Sequence, residues 1–308
     1  MAEGGVRYRW LCQMFAVALA LTLTVTACGR DGGLDKETRG FSGLLAASEF
    51  VVGTNRFPFG LVARDGEFLE GADVTVSFSQ LEGEAAVFAG EAQAVWQTVE
   101  GVTPHELPDG ELHLHLDIKG VYVVEHVEFP HAGIWGADFR VSDRTPLEGT
   151  AFEVKEVSSA PNVGDPVPRT NNLTIHDVPS FADISTRQVE RDDLHNISVR
   201  GAIDAEVPFV VFFASPQFCM SAMCGPVTDT LEVAHTELEG AVEFIHIEPW
   251  SLDAARERGR LVPTLAMVDW GLPSQPWTFV VAADGTVAAR FEGLVTVPEV
   301  TEAVRELL

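Results

Sequence analysis

The chain has 308 residues, a length that suits two ordinary domains, and it is 46% hydrophobic, which excludes a disordered composition. Forty-six acidic against 20 basic residues give a formal net charge of −26, which repels phosphate backbones and argues against a nucleic-acid partner.

At the N-terminus, Arg7 and Arg9 precede an uncharged apolar run from Trp10 to Ala27, the charge and hydropathy order of an export signal. The length also permits an uncleaved anchor helix. The run closes on Val25-Thr26-Ala27-Cys28, which resembles the lipobox of bacterial lipoproteins. The resemblance implies a signal peptide over residues 1–27, cleavage before Cys28 and lipidation of its thiol. The remainder would then be extracytoplasmic and anchored by lipid to the bacterial cell membrane. Residues 28–47 are rich in glycine and charge and read as a flexible tether. Cys12 would leave with the signal and Cys28 would carry the lipid. Only Cys219 and Cys224 would then remain, in a compartment where disulfides persist.

Residues 48–144 have a β pattern. "ADVTVSFSQ" alternates, with Val74, Val76 and Phe78 on one face, and "ELHLHLDIKG" places Leu112, Leu114 and Leu116 together. "GVYVVEHVEF" follows, and Asp65-Gly66, Pro108-Asp109-Gly110 and Gly133 mark turns between the runs. Short strands with regular turns predict a β-sandwich. "NRFPFGLVARDGEFLEGADVTVSF" and "GVYVVEHVEFPHAGIWGADFRV" resemble the opening and closing strands of FixH- and YtkA-type immunoglobulin-like domains. Residues 145–178, with "SSAPNVGDPVPRTNNLT", read as a linker.

From residue 179 the pattern alternates strand and helix. "VPFVVFFAS" is a continuous apolar run, as a buried strand requires. Val227, Leu231, Ala234 and Leu238 then recur at helical spacing up to Gly240. "AVEFIHIE" reads as a second buried strand and "SLDAARERG" as a short polar helix. "WTFVVAADGTVAARFEG" reads as a hairpin around Asp284-Gly285, and "VPEVTEAVRELL" as a closing helix. The order of elements, the strand leading to Cys219, Pro276 before the hairpin and the Gly293 loop resemble the thioredoxin family. The expected fold class is therefore multidomain: an N-terminal all-β immunoglobulin-like sandwich and, over 179–308, a C-terminal α/β thioredoxin-like domain. The resemblance implies that Pro276 is cis and faces the cysteines.

A redox thiol needs a stabilised thiolate, which a helix N-terminus favours. Cys219, at the strand-to-helix junction, is the candidate attacking thiol, and Cys224 the resolving one. Residues five apart on a regular helix lie about 8.7 Å apart and about 140° around the axis, too far to bond. Either Cys219 lies off the helix or the helix starts later, as Pro226 suggests. A second register sets "MCGPV" against the family's "WCGPC", with Cys224 as the first cysteine. The run Val210-Val211-Phe212-Phe213 also lacks the buried acid found in the family's central strand.

Together these readings predict a membrane-tethered extracytoplasmic thiol–disulfide oxidoreductase. It would act on protein thiols or disulfides with Cys219, Cys224 and Pro276, and without a cofactor. The alternatives are a non-enzymatic binding or copper-handling module and a purely structural disulfide. Met220 and Met223 beside the thiols suit Cu(I), but no histidine follows His246. His113 and His115 share a strand face and, with His126 or His131, form a further candidate metal group. His235 and His246 read as structural or surface residues.

Overall fold

The computed structural model describes residues 41–308 apart from 64–65, 84, 100–104, 107–111, 114–118, 143–148, 188 and 222, with the backbone alone at 105–106 and 112–113. The strands of the N-terminal region are β1 (Phe41–Leu45), β2 (Phe50–Val51), β3 (Gly53–Ala63), β4 (Val74–Glu82), β5 (Ala85–Thr98), β6 (His105–Glu106), β7 (Leu112–His113), β8 (Gly120–Phe129), β9 (Gly133–Val141) and β10 (Thr150–Lys155). After them come α1 (Val199–Asp204), β11 (Phe209–Phe213), α2 (Cys224–Glu237), β12 (Glu243–Ile247), α3 (Leu252–Arg258), α4 (Leu265–Asp269), β13 (Trp277–Val281), β14 (Val287–Glu292) and α5 (Val297–Leu307).

Alternation builds the N-terminal core. Val74, Val76 and Phe78 of β4 point inward as the sequence predicts, and Phe57, Phe59 and Leu61 of β3 meet them. Much of the phenylalanine excess is spent here. Phe50, Phe57, Phe59, Phe78, Phe129, Phe139 and Phe152 share one core with Tyr122 and Trp135. Ring centroids at 4.7 Å for Phe59–Phe139 and 5.0 Å for Phe50–Phe57 are within the range where aromatic pairs add to simple burial.

These strands do not form two separate sheets. Eight of them make one curled sheet in the order β1-β3-β8-β5-β4-β9-β10-β2, and β6 and β7 pair only with each other. The 14-residue β5 is the reason: Ala85–Ala94 pair with β4, and Val95–Thr98 continue onto β8. Register shifts at Asn55/Phe57 and Phe78/Ser79 bend the partner strands, as bulges do. β1 lies within the stretch read as a tether, and β10 within the stretch read as a linker, where it pairs with β9 and β2.

β8 explains the join to the rest of the chain. Gly120–Val124 is buried on both faces, so its sequence does not alternate. Tyr122 and Val124 enter the aromatic core. Val121 and Val123 enter a second core with Val210, Phe212, Leu231, Leu294, Val300 and Val304. The described residues thus belong to one compact unit.

The C-terminal region contains a small four-stranded sheet, β12-β11-β13-β14, in which only β11 and β12 are parallel. Phe209, Val211 and Phe213 of β11 face a third core with Trp270, Trp277 and Phe279, and Val210 and Phe212 face α2 and α5. The expected fold class is therefore corrected. The molecule is mostly β, organised around one curled half-barrel sheet instead of a two-sheet sandwich. Its C-terminal part is a four-stranded sheet with a few helices, of which α1, α3 and α4 span seven residues or fewer. It does not form the α/β domain that the thioredoxin resemblance implied.

Among the described residues no helix is long and apolar enough to cross a membrane. Cys28 and the apolar run before it lie outside the described residues.

Candidate functional site

The site is built where β11 ends and α2 begins. The strand emerges at Ala214, whose N–H bonds Ile247 O, and the chain then loops from Ser215 to Met223. α2 starts at Cys224, with Met223 as its N-cap. Both sequence-stated routes to a closable pair hold here: Cys219 lies off the helix, and the helix begins five residues later. Pro226 falls in the first turn, where its missing N–H costs no helical bond.

Although its backbone is off the helix, Cys219 reaches the helix end with its side chain. Its Sγ accepts the Cys224 N–H at 3.2 Å and lies 2.7 Å from Cys224 Sγ. The Ser221 hydroxyl approaches it at 3.6 Å. Hydrogen bonding from the Cys224 thiol, opposed by burial and aided by Ser221 and the Cys224 N–H, brings the Cys219 thiol down to about 6. Cys224 has the opposite environment. It is fully buried, and burial together with the neighbouring Cys219 sulfur pushes its thiol well above the ordinary range. The pair is thus split into a half-buried, acidic sulfur and an enclosed one that holds its proton.

Two braces hold the loop. Gln275 Oε1 accepts the Ser215 N–H at 3.1 Å, and Gln275 Nε2 donates to Phe218 O at 3.0 Å. Thr186 Oγ1 accepts the Gln217 N–H at 3.2 Å and donates to Glu248 Oε1. Gln275 precedes Pro276 across a cis peptide bond. Gln275 O also lies 3.5 Å from Ser221 Oγ, so the structure brings the Gln275–Pro276 step alongside the cysteine loop, with Pro276 itself buried.

The histidines are placed elsewhere. His246 is buried on β12, with Nε2 donating to Ala214 O at 2.8 Å and Nδ1 3.3 Å from His195 Nε2. Burial holds His246 well below its ordinary range and His195 down to about 4, so both are neutral at pH 7. His235 pairs with Asp193 at 3.4 Å. Among the described residues no three His, Cys, Asp or Glu side chains gather as a metal group; His115 and the His113 side chain lie outside that set. Met220 is 79% exposed, and Met223 packs against the core that contains Cys224.

Sequence reasoning passed over Gln275, Thr186 and Glu248. Gln275 and Thr186 carry no local signal, since their partners are 57 and 62 residues away. Glu248 could have been found: it continues the period-two face of Phe244 and His246, the face that meets α2.

No family model matches the chain, and no curated protein matches it. One solved structure to which it is similar is "Drosophila OTK, extracellular domains 3-5", at 8% identity and a TM-score of 0.19. The likeness covers 57% of this chain and 49% of that one, so the chain spans about half of that structure's length. At that score it carries no argument.

Proposed function

We propose that the protein is a thiol–disulfide oxidoreductase acting outside the cytoplasm, tethered to the membrane by a lipid on Cys28. The observation that carries the chemistry is the asymmetry of the two sulfurs, 2.7 Å apart at the start of α2. The Cys219 thiolate attacks a protein disulfide and forms a mixed disulfide, with the first substrate thiolate leaving. Cys224 then loses its proton and attacks Cys219 Sγ, forming the Cys219–Cys224 bond and releasing the second substrate thiolate. The substrate disulfide is reduced by two electrons as the pair is oxidised. Pro276 is assigned the role of shaping the approach of the substrate to Cys219, supported by the place of the Gln275–Pro276 step beside the cysteine loop.

The test is reduction of a disulfide-bonded protein such as insulin by the full chain purified in detergent. Activity is expected in the wild type, none in Cys219→Ser, and a stalled mixed disulfide in Cys224→Ser. Wild-type inactivity toward several disulfide proteins would overturn the reading. The anchor is tested separately: labelling with a palmitate analogue in a bacterial host is expected for the wild type and absent in Cys28→Ser.

A further inference from the structure

The proposed exchange leaves one demand unmet. Cys224 holds its proton tightly, yet must give it up to resolve the mixed disulfide, and the five residues of β11 that lead to the site are all apolar. A carboxyl group stands at the end of β12, the strand paired with β11 beside the start of the cysteine loop. Glu248 follows β12 directly and is 6% exposed. Its Oε1 accepts the Thr186 N–H at 2.7 Å and the Thr186 hydroxyl, which fixes the carboxyl in place. Its Oε2 is buried with no hydrogen-bond partner, and the Ser215 hydroxyl is likewise buried and unpartnered. Ser215 stands between the two groups. Its N–H favours the Cys224 thiolate, and its hydroxyl favours the Glu248 carboxylate without the geometry of a full hydrogen bond.

We propose that Glu248 accepts the Cys224 proton when Cys224 attacks the mixed disulfide, with Ser215 positioned between them. The inference rests on the oxidoreductase reading and deepens it. The step balances. The Cys224 S–H bond breaks and its proton passes to Glu248. The Cys224–Cys219 S–S bond forms with the electron pair left on Cys224, the Cys219–substrate bond breaks, and the substrate leaves as a thiolate.

The charges around Glu248 support that role. The Glu248 charge disfavours the Cys224 thiolate on α2, and Arg256 of α3, bonded to Ala182 O and Ser185 O, favours the Glu248 carboxylate. His246 on the same strand and His195 behind it are neutral at pH 7. Burial raises the Glu248 carboxyl to about 7, so it exchanges a proton near neutrality.

The experiment is stopped-flow reaction of the reduced full chain, in detergent, with Ellman's reagent. The first thiol released reports attack by Cys219, and the second reports resolution by Cys224. In Glu248→Gln the first phase is expected within about twofold of wild type, and the second about tenfold or more slower at pH 7. The wild-type second phase is expected to rise with pH through an inflection near 7 that Glu248→Gln loses and Glu248→Asp retains. A merely electrostatic Glu248 gives the opposite sign. Its negative charge holds the Cys224 proton, so removing it would speed the second phase. A second phase in Glu248→Gln that is unchanged or faster, or slower with the inflection kept, overturns the inference. A wild type with no first phase overturns the oxidoreductase reading instead.

Discussion

At the scale of single residues, the two cysteines differ because they hold different places relative to one helix end. Cys224 is a helical residue, enclosed by Thr228, Phe212 and the core around α2. Cys219 is a loop residue whose sulfur is brought to the helix N–H groups. Its lowered pKa depends first on the Cys224 thiol, which donates to it. Alkylation of Cys219 by iodoacetamide is therefore expected to follow a titration with its midpoint near pH 6. In Cys224→Ala the midpoint should rise by more than one pH unit, and an unmoved midpoint would show that the helix end alone suffices. The pair itself was legible in the sequence, because only two cysteines follow Cys28. The helix start was legible to within two residues through Pro226. The proposed proton acceptor was not legible, because β11, which leads to the cysteines, is apolar throughout and Glu248 follows the next strand.

At the scale of elements, the apolar and helical periodicities located β4, β8, β11, α2, β12, α3, the β13–β14 hairpin and α5. β5 escaped notice: Ala85–Ala89 is exposed throughout, and where the strand does alternate the inward positions are small, Gly90, Ala92 and Ala94 before Trp96, so no run of large apolar residues marks the buried face. That one strand decides the architecture, since it joins what would otherwise be two sheets. The helix-rich half of the expected fold failed for a related reason. Patterns give the order of elements and mark α3 as short and β13–β14 as a hairpin, but they do not show α1 and α4, which span six residues or fewer. The turn between β14 and α5 was marked by Gly293 for a sound reason. Its φ is +76°, and a Cβ there would collide with Ala46 O. Gly293→Ala should cost at least about 3 kcal/mol in urea unfolding, from left-handed strain and backbone collision together. A loss under about 1 kcal/mol would mean that the Ala46 segment can withdraw.

At the scale of the whole molecule, the curled sheet and the C-terminal region share a core and are pinned at their margins. Arg56 of β3 binds both carboxylate oxygens of Glu299 on α5 and also Leu294 O. Glu49, its side chain wholly buried, accepts bonds from Ser158, Ser159 and Lys155, with Arg290 at 3.8 Å. Burial alone would raise the Glu49 carboxyl, but those hydrogen bonds outweigh it and hold it down at about 2. A carboxyl whose folded pKa is lowered stabilises the fold above its unfolded pKa and loses that contribution as pH falls through the folded value. Wild-type stability should therefore drop as pH falls from about 4.5 toward about 2. Glu49→Gln should flatten part of that drop and cost about 3 kcal/mol at pH 7. Because Val121 and Val123 lie in the core that also contains Cys224 and Val300, urea unfolding should show one transition by fluorescence and by circular dichroism alike. Two separated transitions would restore the independent domains suggested by the sequence.

The central claim is that Cys219 and Cys224 form and break a bond in service, and the midpoint potential of the pair, measured against glutathione or dithiothreitol buffers, tests it most directly. A value between about −270 and −120 mV is expected, the span of exchange-active pairs. A value well below about −300 mV would mark a structural disulfide and contradict the account.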